Sequence, residues 1–175
     1  MRKKIIFLTG CAALFLAACG YTTKSLLPPE LRSIAVEPIQ NEIDYSAHQR
    51  RALYVPLIEV AIRSEIVNRF QIDGNLRITE PETASLILRG SLVSYDRGEL
   101  RVDPNNDVQE YRIYVSVNFE LWDTAKQEAR WSEPRFTGEG TYFVSGPRAT
   151  SEQVAIDEAI KDLARRIVER TTEDW

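Results

Sequence analysis

The chain has 175 residues, 43% hydrophobic and 27% charged, with eight glycines and eight prolines. That composition excludes a collagen-like or fully disordered chain, and the length suits one domain with a real core. Lys and Arg number 22 against 26 Asp and Glu, a net charge of −4, which argues against a nucleic-acid partner because such a partner needs a basic patch. One histidine and two cysteines leave little material for a metal or a cysteine–histidine site, and no cofactor is expected.

Arg2, Lys3 and Lys4 form a cationic start, and Ile5 to Ala18 is an uncharged apolar run. The run is shorter than the roughly 20 residues of a membrane-spanning helix and fits the core of a secretory signal. It ends in Leu16-Ala17-Ala18-Cys19, which looks like a bacterial lipobox. Leu8-Thr9-Gly10-Cys11 matches the same loose pattern, but only four apolar residues would precede it, so Cys19 is the expected lipidation site. Residues 1–18 then read as a signal peptide. Their removal takes away three cations and no anion, leaving 157 residues at a net charge of −7 and a single, acylated cysteine. Two or three acyl chains give a stable anchor, where one chain binds only marginally. Gly20, in place of the aspartate that retains bacterial lipoproteins at the inner membrane, points to the outer membrane.

Residues 19–31, with Pro28 and Pro29, read as a lipidated tether. Arg32 to Ile39 alternates as a strand and closes at Pro38, and Gln40 to Arg51 reads as a polar loop. Tyr54 to Phe70 carries Ile58, Ile62, Ile66 and Phe70 four residues apart, the spacing of a helix face, and Asp73-Gly74 ends it. Leu76 to Thr79 is a short strand, interrupted by Glu80-Pro81-Glu82. Leu86 to Tyr95 is a main strand, in which Gly90 marks a bulge or a close approach. Asp96 to Gln109 is polar, with Gly98, Pro104, Asn105 and Asn106, and reads as a long loop. Glu110 to Trp122 alternates most clearly: Tyr111, Ile113, Val115, Val117, Phe119 and Leu121 against Arg112, Tyr114, Ser116, Asn118 and Glu120, a strand with one dry and one wet face. Arg130 to Val144 returns as a strand interrupted by Pro134. The last segment is a helix with Ile156, Ala159, Ile160, Leu163, Ile167 and Val168 as its stripe. Thr150 is its expected N-cap, and Gln153 reaches back in a capping box. The order predicts an α+β two-layer sandwich: a four-stranded, mainly antiparallel sheet with two helices packed on one face (βαβββα).

No catalytic constellation is legible, so no enzyme is expected. His48 lies in a polar stretch without a paired nucleophile, and no phosphate loop, nucleophile elbow or zinc motif occurs. Arg50 and Arg51 read as a solvated turn. Arg97 and Arg101 fall in the first long loop among carboxylates, and Lys126 and Arg130 lie around the second strand connection. Cations near a sheet end could hold phosphate. Tyr111, Trp122, Trp131 and Tyr142 read as sheet-packing residues.

Cys19-Gly20-Tyr21, the run Leu27 to Val36 with its Leu-Pro and Ile-x-Val, Gly74 to Thr79, Ala84 to Gly90, Glu110 to Ile113 and Ala155 to Glu169 together resemble the LptE family of lipopolysaccharide-assembly lipoproteins. The likeness covers nearly all of residues 19–175. It implies an outer-membrane lipoprotein, lipid-anchored on the periplasmic side, that partners an LptD-type β-barrel as plug and assembly factor. It also implies contact with lipopolysaccharide. The cations available for lipid A phosphates would be Lys126 and Arg130 first, because fewer carboxylates surround them, then Arg97 and Arg101. Two other binding roles suit the same α+β form: an auxiliary lipoprotein of an ABC-type lipid transporter, and an activator of a cell-wall synthase.

Overall fold

In the computed structural model, residues 28, 30–44 and 55–173 are described. The elements run β1 (Ser33–Val36), β2 (Gln40–Asn41), α1 (Ile58–Asp73), β3 (Arg77–Ile78), a single 3₁₀ turn (Pro81–Thr83), β4 (Leu86–Val102), β5 (Val108–Asp123), β6 (Glu128–Phe143) and α2 (Glu152–Glu173). The predicted α+β class holds, but the sheet has six strands rather than four, in the order β3-β1-β4-β5-β6, with β2 also on β4. It is mixed: β4, β5 and β6 form an antiparallel meander, while β1 is parallel to both β3 and β4.

The alternation of β5 decides which face is covered. Ile113, Val115, Val117 and Leu121 are fully buried, and Phe119 is nearly so. They share one cluster with Ile34 and Val36 of β1, Leu86, Leu88 and Leu92 of β4, Ile62, Ile66 and Phe70 of α1, and Leu163 and Ile167 of α2. Both helices therefore lie on one face, as the periodicity predicts. On the opposite face Ser116 is buried only beneath its own hydroxyl pair with Thr137, 2.8 Å away, so the predicted register stands. A small second cluster, Ala35, Ala84 and Ile87 with Trp122, covers one corner of that back face.

Two expectations are corrected. The predicted loop Asp96–Gln109 is mostly strand: β4 runs on to Val102 and pairs with β5 as far as Val102↔Val108, leaving a short hairpin turn. Asp103 holds that turn, its carboxylate accepting from the backbone N–H of Asn105 (2.8 Å) and Asp107 (2.9 Å). Polar residues pair as well as apolar ones when only one face needs burial, so hydrophobicity alone could not mark this extension. Within the predicted polar loop after β1, Gln40 and Asn41 add a two-residue strand against Ser91 and Leu92. Leu31, the last residue of the expected tether, is 3% exposed and belongs to the core.

Gly90 marks a close approach rather than the bulge. A Cβ there would sit 2.7 Å from the Phe119 ring, and the register shift falls between Leu92 and Ser94. That shift changes the parity of β4, so Tyr95 joins Leu92 on the helix side. On β6, a Cβ at Gly138 would strike the Ala159 carbonyl and one at Gly140 the Ala155 carbonyl. The two glycines let the backbone of α2 rest on the strand. Further along, α1 is tied to the end of β1 by Arg63 Nε, which donates to the Val36 carbonyl at 2.9 Å.

Candidate functional site

The uncovered back of the sheet is a polar ladder. Arg89 lies 3.5 Å from Glu37, the residue after β1, and 3.5 Å from Glu120 of β5, with its guanidinium 5.1 Å from the centre of the Trp122 ring. Arg112 pairs with Glu139 across β5 and β6 at 3.1 Å. Tyr114, Asn118 and Trp122 are half-buried between these rungs. The ladder runs from the end of β1 across β4, β5 and β6, and among the described residues no other element packs over most of it. Each pair is exposed enough to contribute at most about 1 kcal/mol. What the ladder provides is a broad face of paired hydrogen-bonding groups.

The four cations singled out from the sequence do not come together. Arg97 and Arg101 lie toward one end of the sheet, beside the 103–107 turn. Lys126 and Arg130 lie at the other end, beside the Thr124–Gln127 turn. The pairs Arg101↔Glu110 and Leu86↔Asp123 mark these two ends, about 40 Å apart at the rise of an antiparallel strand. Three of the four have a carboxylate partner, and those of Arg97 and Arg130 are the closest. Arg130 Nη1 is 2.9 Å from Asp123 Oδ2, and Asp123 is 1% exposed. Burial pulls the Asp123 carboxyl upward, but hydrogen bonds from the Lys126 N–H, the Arg130 guanidinium and the Ala125 N–H outweigh it and hold the carboxyl below its usual range. The reasoning that ranked Arg130 first, a scarcity of nearby carboxylates, fails because its partner lies across the turn.

Arg97 is not in a loop but on the helix side of β4, where it donates to Glu152 Oε2 at 2.8 Å. Glu152 opens α2 and gathers three donors. Tyr95 Oη donates to its Oε1 at 2.7 Å, and Tyr142 Oη to its Oε2 at 3.1 Å. Burial raises the Tyr95 phenol far above its ordinary range, and the adjoining Glu152 carboxylate raises it further. Burial also raises the Glu152 carboxyl, but hydrogen bonds from Tyr95, Arg97 and Tyr142 reverse the shift and hold it low. The predicted capping box does not form. Ser151 Oγ accepts from the Val154 N–H at 3.4 Å, and Gln153 turns to Asp157. Glu152 was legible as an acidic first-turn residue, but nothing in the sequence placed Tyr95 and Tyr142 against it.

Arg101 has Glu110 at 3.5 Å, yet its side chain is 60% exposed. Its guanidinium lies 5.8 Å from the centre of the Phe143 ring, and that of Arg148 lies over the same ring at 4.1 Å. Sequence reading missed Arg148, which sits in the turn before α2. The residues around them, Leu100, Val102 and Val144, are exposed hydrophobics. This end of the sheet therefore presents two guanidinium groups beside an apolar rim. At the other end Lys126 is exposed and stands alone once Arg130 is engaged.

Among the described residues no group of three or more histidine, cysteine or acidic side chains could hold a metal, and no helix is long and apolar enough to cross a membrane. A groove of about 150 Å³ between α1 and α2, lined by Ala61, Glu65, Asp157, Ile160 and Lys161, is smaller than the pockets that enclose drug-sized ligands. Cys19, Cys11, His48, Arg50 and Arg51 lie outside the described residues.

A two-layer α+β domain whose polar sheet back is open and whose ends carry cations has the form of a binding module. Residues 31–171 match the LptE family, described as lipopolysaccharide-assembly, and the chain belongs to that family. The membership makes it an outer-membrane lipoprotein of lipopolysaccharide assembly. Among solved structures it is similar to the hypothetical protein CT253 of Chlamydia trachomatis, at 15% identity and a TM-score of 0.54, covering 80% of this chain and 95% of that one. It is also similar to protein XCC0632 of Xanthomonas campestris, at 12% identity and a TM-score of 0.50, covering 82% and 88%. Rare lipoprotein B of Shewanella oneidensis aligns at 16% identity and a TM-score of 0.44, covering 78% and 92%. At these identities the likenesses concern the fold. No curated protein sequence matches the chain.

Proposed function

We propose that this lipoprotein is the partner of an LptD-type β-barrel, seated in its lumen as plug and assembly factor, and that it acts by binding rather than by catalysis. The supporting observation is the sheet back: a face covered by ion pairs and hydroxyls suits the polar wall of a water-filled barrel, whereas a hydrophobic partner would strip those charged groups of water. In this reading residues 1–18 are the signal peptide, Cys19 carries the lipid, and the segment up to Glu30 tethers the domain to the periplasmic side of the outer membrane. A photo-crosslinking residue at Tyr114, Asn118 or Glu120 in the full chain should capture the barrel. Capture only from the helix layer, at Glu65 or Asp157, would reject the sheet back as the docking face. Capture of an inner-membrane permease would favour the transporter-auxiliary role instead.

Lipopolysaccharide would meet the end of the sheet that carries Arg101 and Arg148. Phosphates are held well by exposed guanidinium groups, which Arg148 and the 60% exposed Arg101 offer, and the neighbouring Leu100, Val102 and Val144 suit the apolar part of a lipid. Among the described residues no carboxylate pairs with Arg148. Arg101→Asp with Arg148→Asp should weaken lipopolysaccharide binding by at least about tenfold, as expected for the loss of one charge-assisted contact. Lys126→Asp with Arg130→Asp should change it little. The reverse pattern would return the site to the opposite end of the sheet.

A further inference from the structure

β6 is the long open edge of this sheet, 16 residues with β5 on one side only, while the opposite edge is the two-residue strand β3. A long edge strand is a template for pairing with another chain. Two copies of this protein would extend their sheets over the longest run through β6 on β6, a two-fold arrangement.

Part of this edge is already occupied. The Thr137 carbonyl accepts from Arg166 Nη1 of α2. The Glu139 N–H donates to Asp162 Oδ2, one turn earlier on the same helix, at 3.3 Å. The Phe143 carbonyl accepts from the Thr150 N–H at 3.1 Å. Upstream, Pro134 lacks a donor, and Arg135 adopts φ +50°, with its N–H taken by Asn118 Oδ1 at 3.0 Å. The helix reaches the edge because Gly138 and Gly140 admit its backbone. Its two capping side chains are braced: Asp162 by Arg165 at 2.7 Å, and Arg166 by the Phe136 ring at 4.8 Å. A helix that only covered the core would need none of these contacts with the backbone at the rim.

We propose that Asp162 and Arg166 are an edge guard, which occupies the Thr137 carbonyl and the Glu139 N–H in the middle of β6 and prevents this chain from pairing with a second copy of itself. The guard keeps the lipoprotein monomeric before any other partner is engaged.

The test uses the full chain in mild detergent. Asp162→Ala with Arg166→Ala should speed hydrogen exchange of the Glu139 amide about tenfold and raise the dimer fraction at least tenfold in light scattering. Adding Glu139→Pro, which removes the donor, should restore the monomer. Asp162→Asn, which keeps an acceptor, should remain monomeric. Should the double variant fold poorly, Asp162→Ala alone supplies the exchange measurement. A folded double variant that stays monomeric, or a dimer that persists with Glu139→Pro, would overturn the proposal, as would unchanged exchange at Glu139 in Asp162→Ala.

Discussion

At the scale of single residues, Glu152 concentrates the most interaction in one side chain. It accepts from Tyr95, Tyr142 and Arg97 and so fixes the first turn of α2 to β4 and β6. Hydrogen bonds to a charged acceptor contribute more than neutral ones, so Glu152→Gln should cost about 1.5 to 3 kcal/mol in denaturant unfolding. The carboxyl titrates below its ordinary value in the folded protein. Its contribution is therefore complete above the unfolded carboxyl value of about 4.3 and is lost as the pH falls through the lower folded value. The stability gap between wild type and Glu152→Gln should be constant near neutral pH and narrow below about pH 4. A gap that widens on acidification would reverse the assignment. The lone Tyr95→Phe substitution should cost less, about 1 kcal/mol, because Arg97 and Tyr142 remain on the carboxylate.

At the scale of elements, two glycines illustrate different constraints. Gly138 lies under α2, where a Cβ would meet the Ala159 carbonyl and Leu163, mostly backbone that cannot step aside. Gly138→Ala should cost about 1 to 3 kcal/mol by overpacking and should lower the unfolding midpoint. Gly74 closes α1 at φ +75° with open space around it, and its N–H returns to the Phe70 carbonyl. Gly74→Ala should cost only about 1 kcal/mol, from backbone strain alone. Equal costs at the two sites would mean that α2 does not seat directly on β6. The Thr124–Gln127 turn is the corresponding fixed point at the other end. Thr124 Oγ1 donates to the carbonyls of Ala84 and Ser85, and Ser85 exchanges hydrogen bonds with Ser33, so the start of β1 is joined to the β5–β6 turn.

For the whole molecule, the direction of β1 sets which end of the sheet meets the tether. Ile34 pairs with Leu86, and Leu86 pairs with Asp123, so the chain enters the domain at the Lys126 end. The eleven residues from Gly20 to Glu30 extend at most about 40 Å. In the proposed arrangement, with the lipid on Cys19, the Arg101 and Arg148 end is the end of the sheet opposite the point where the tether enters. Labelled palmitate should enter the wild type and be absent from Cys19→Ala. Label retained in that variant and lost on changing Cys11 would move the anchor.

The pattern of apolar residues determined the class of this domain by itself. The period of Ile58, Ile62, Ile66 and Phe70, the alternation from Tyr111 to Leu121 and the stripe of α2 each report burial on one face, and burial on one face is what a two-layer sandwich requires. The family was legible in short motifs spread along the chain. The extension of β4 to Val102 was not legible, because strand pairing satisfies backbone groups whatever the side chains are, and a polar strand looks like a loop. The parity change at Val93, which turned Arg97 from a presumed loop cation into the partner of Glu152, follows from a bulge that depends on β5 rather than on β4. The engagement of Arg130 by Asp123 and the distance between the two cationic ends are likewise products of register. Charge is written in the sequence, but whether a charge is available to a partner depends on what the tertiary structure has already placed beside it.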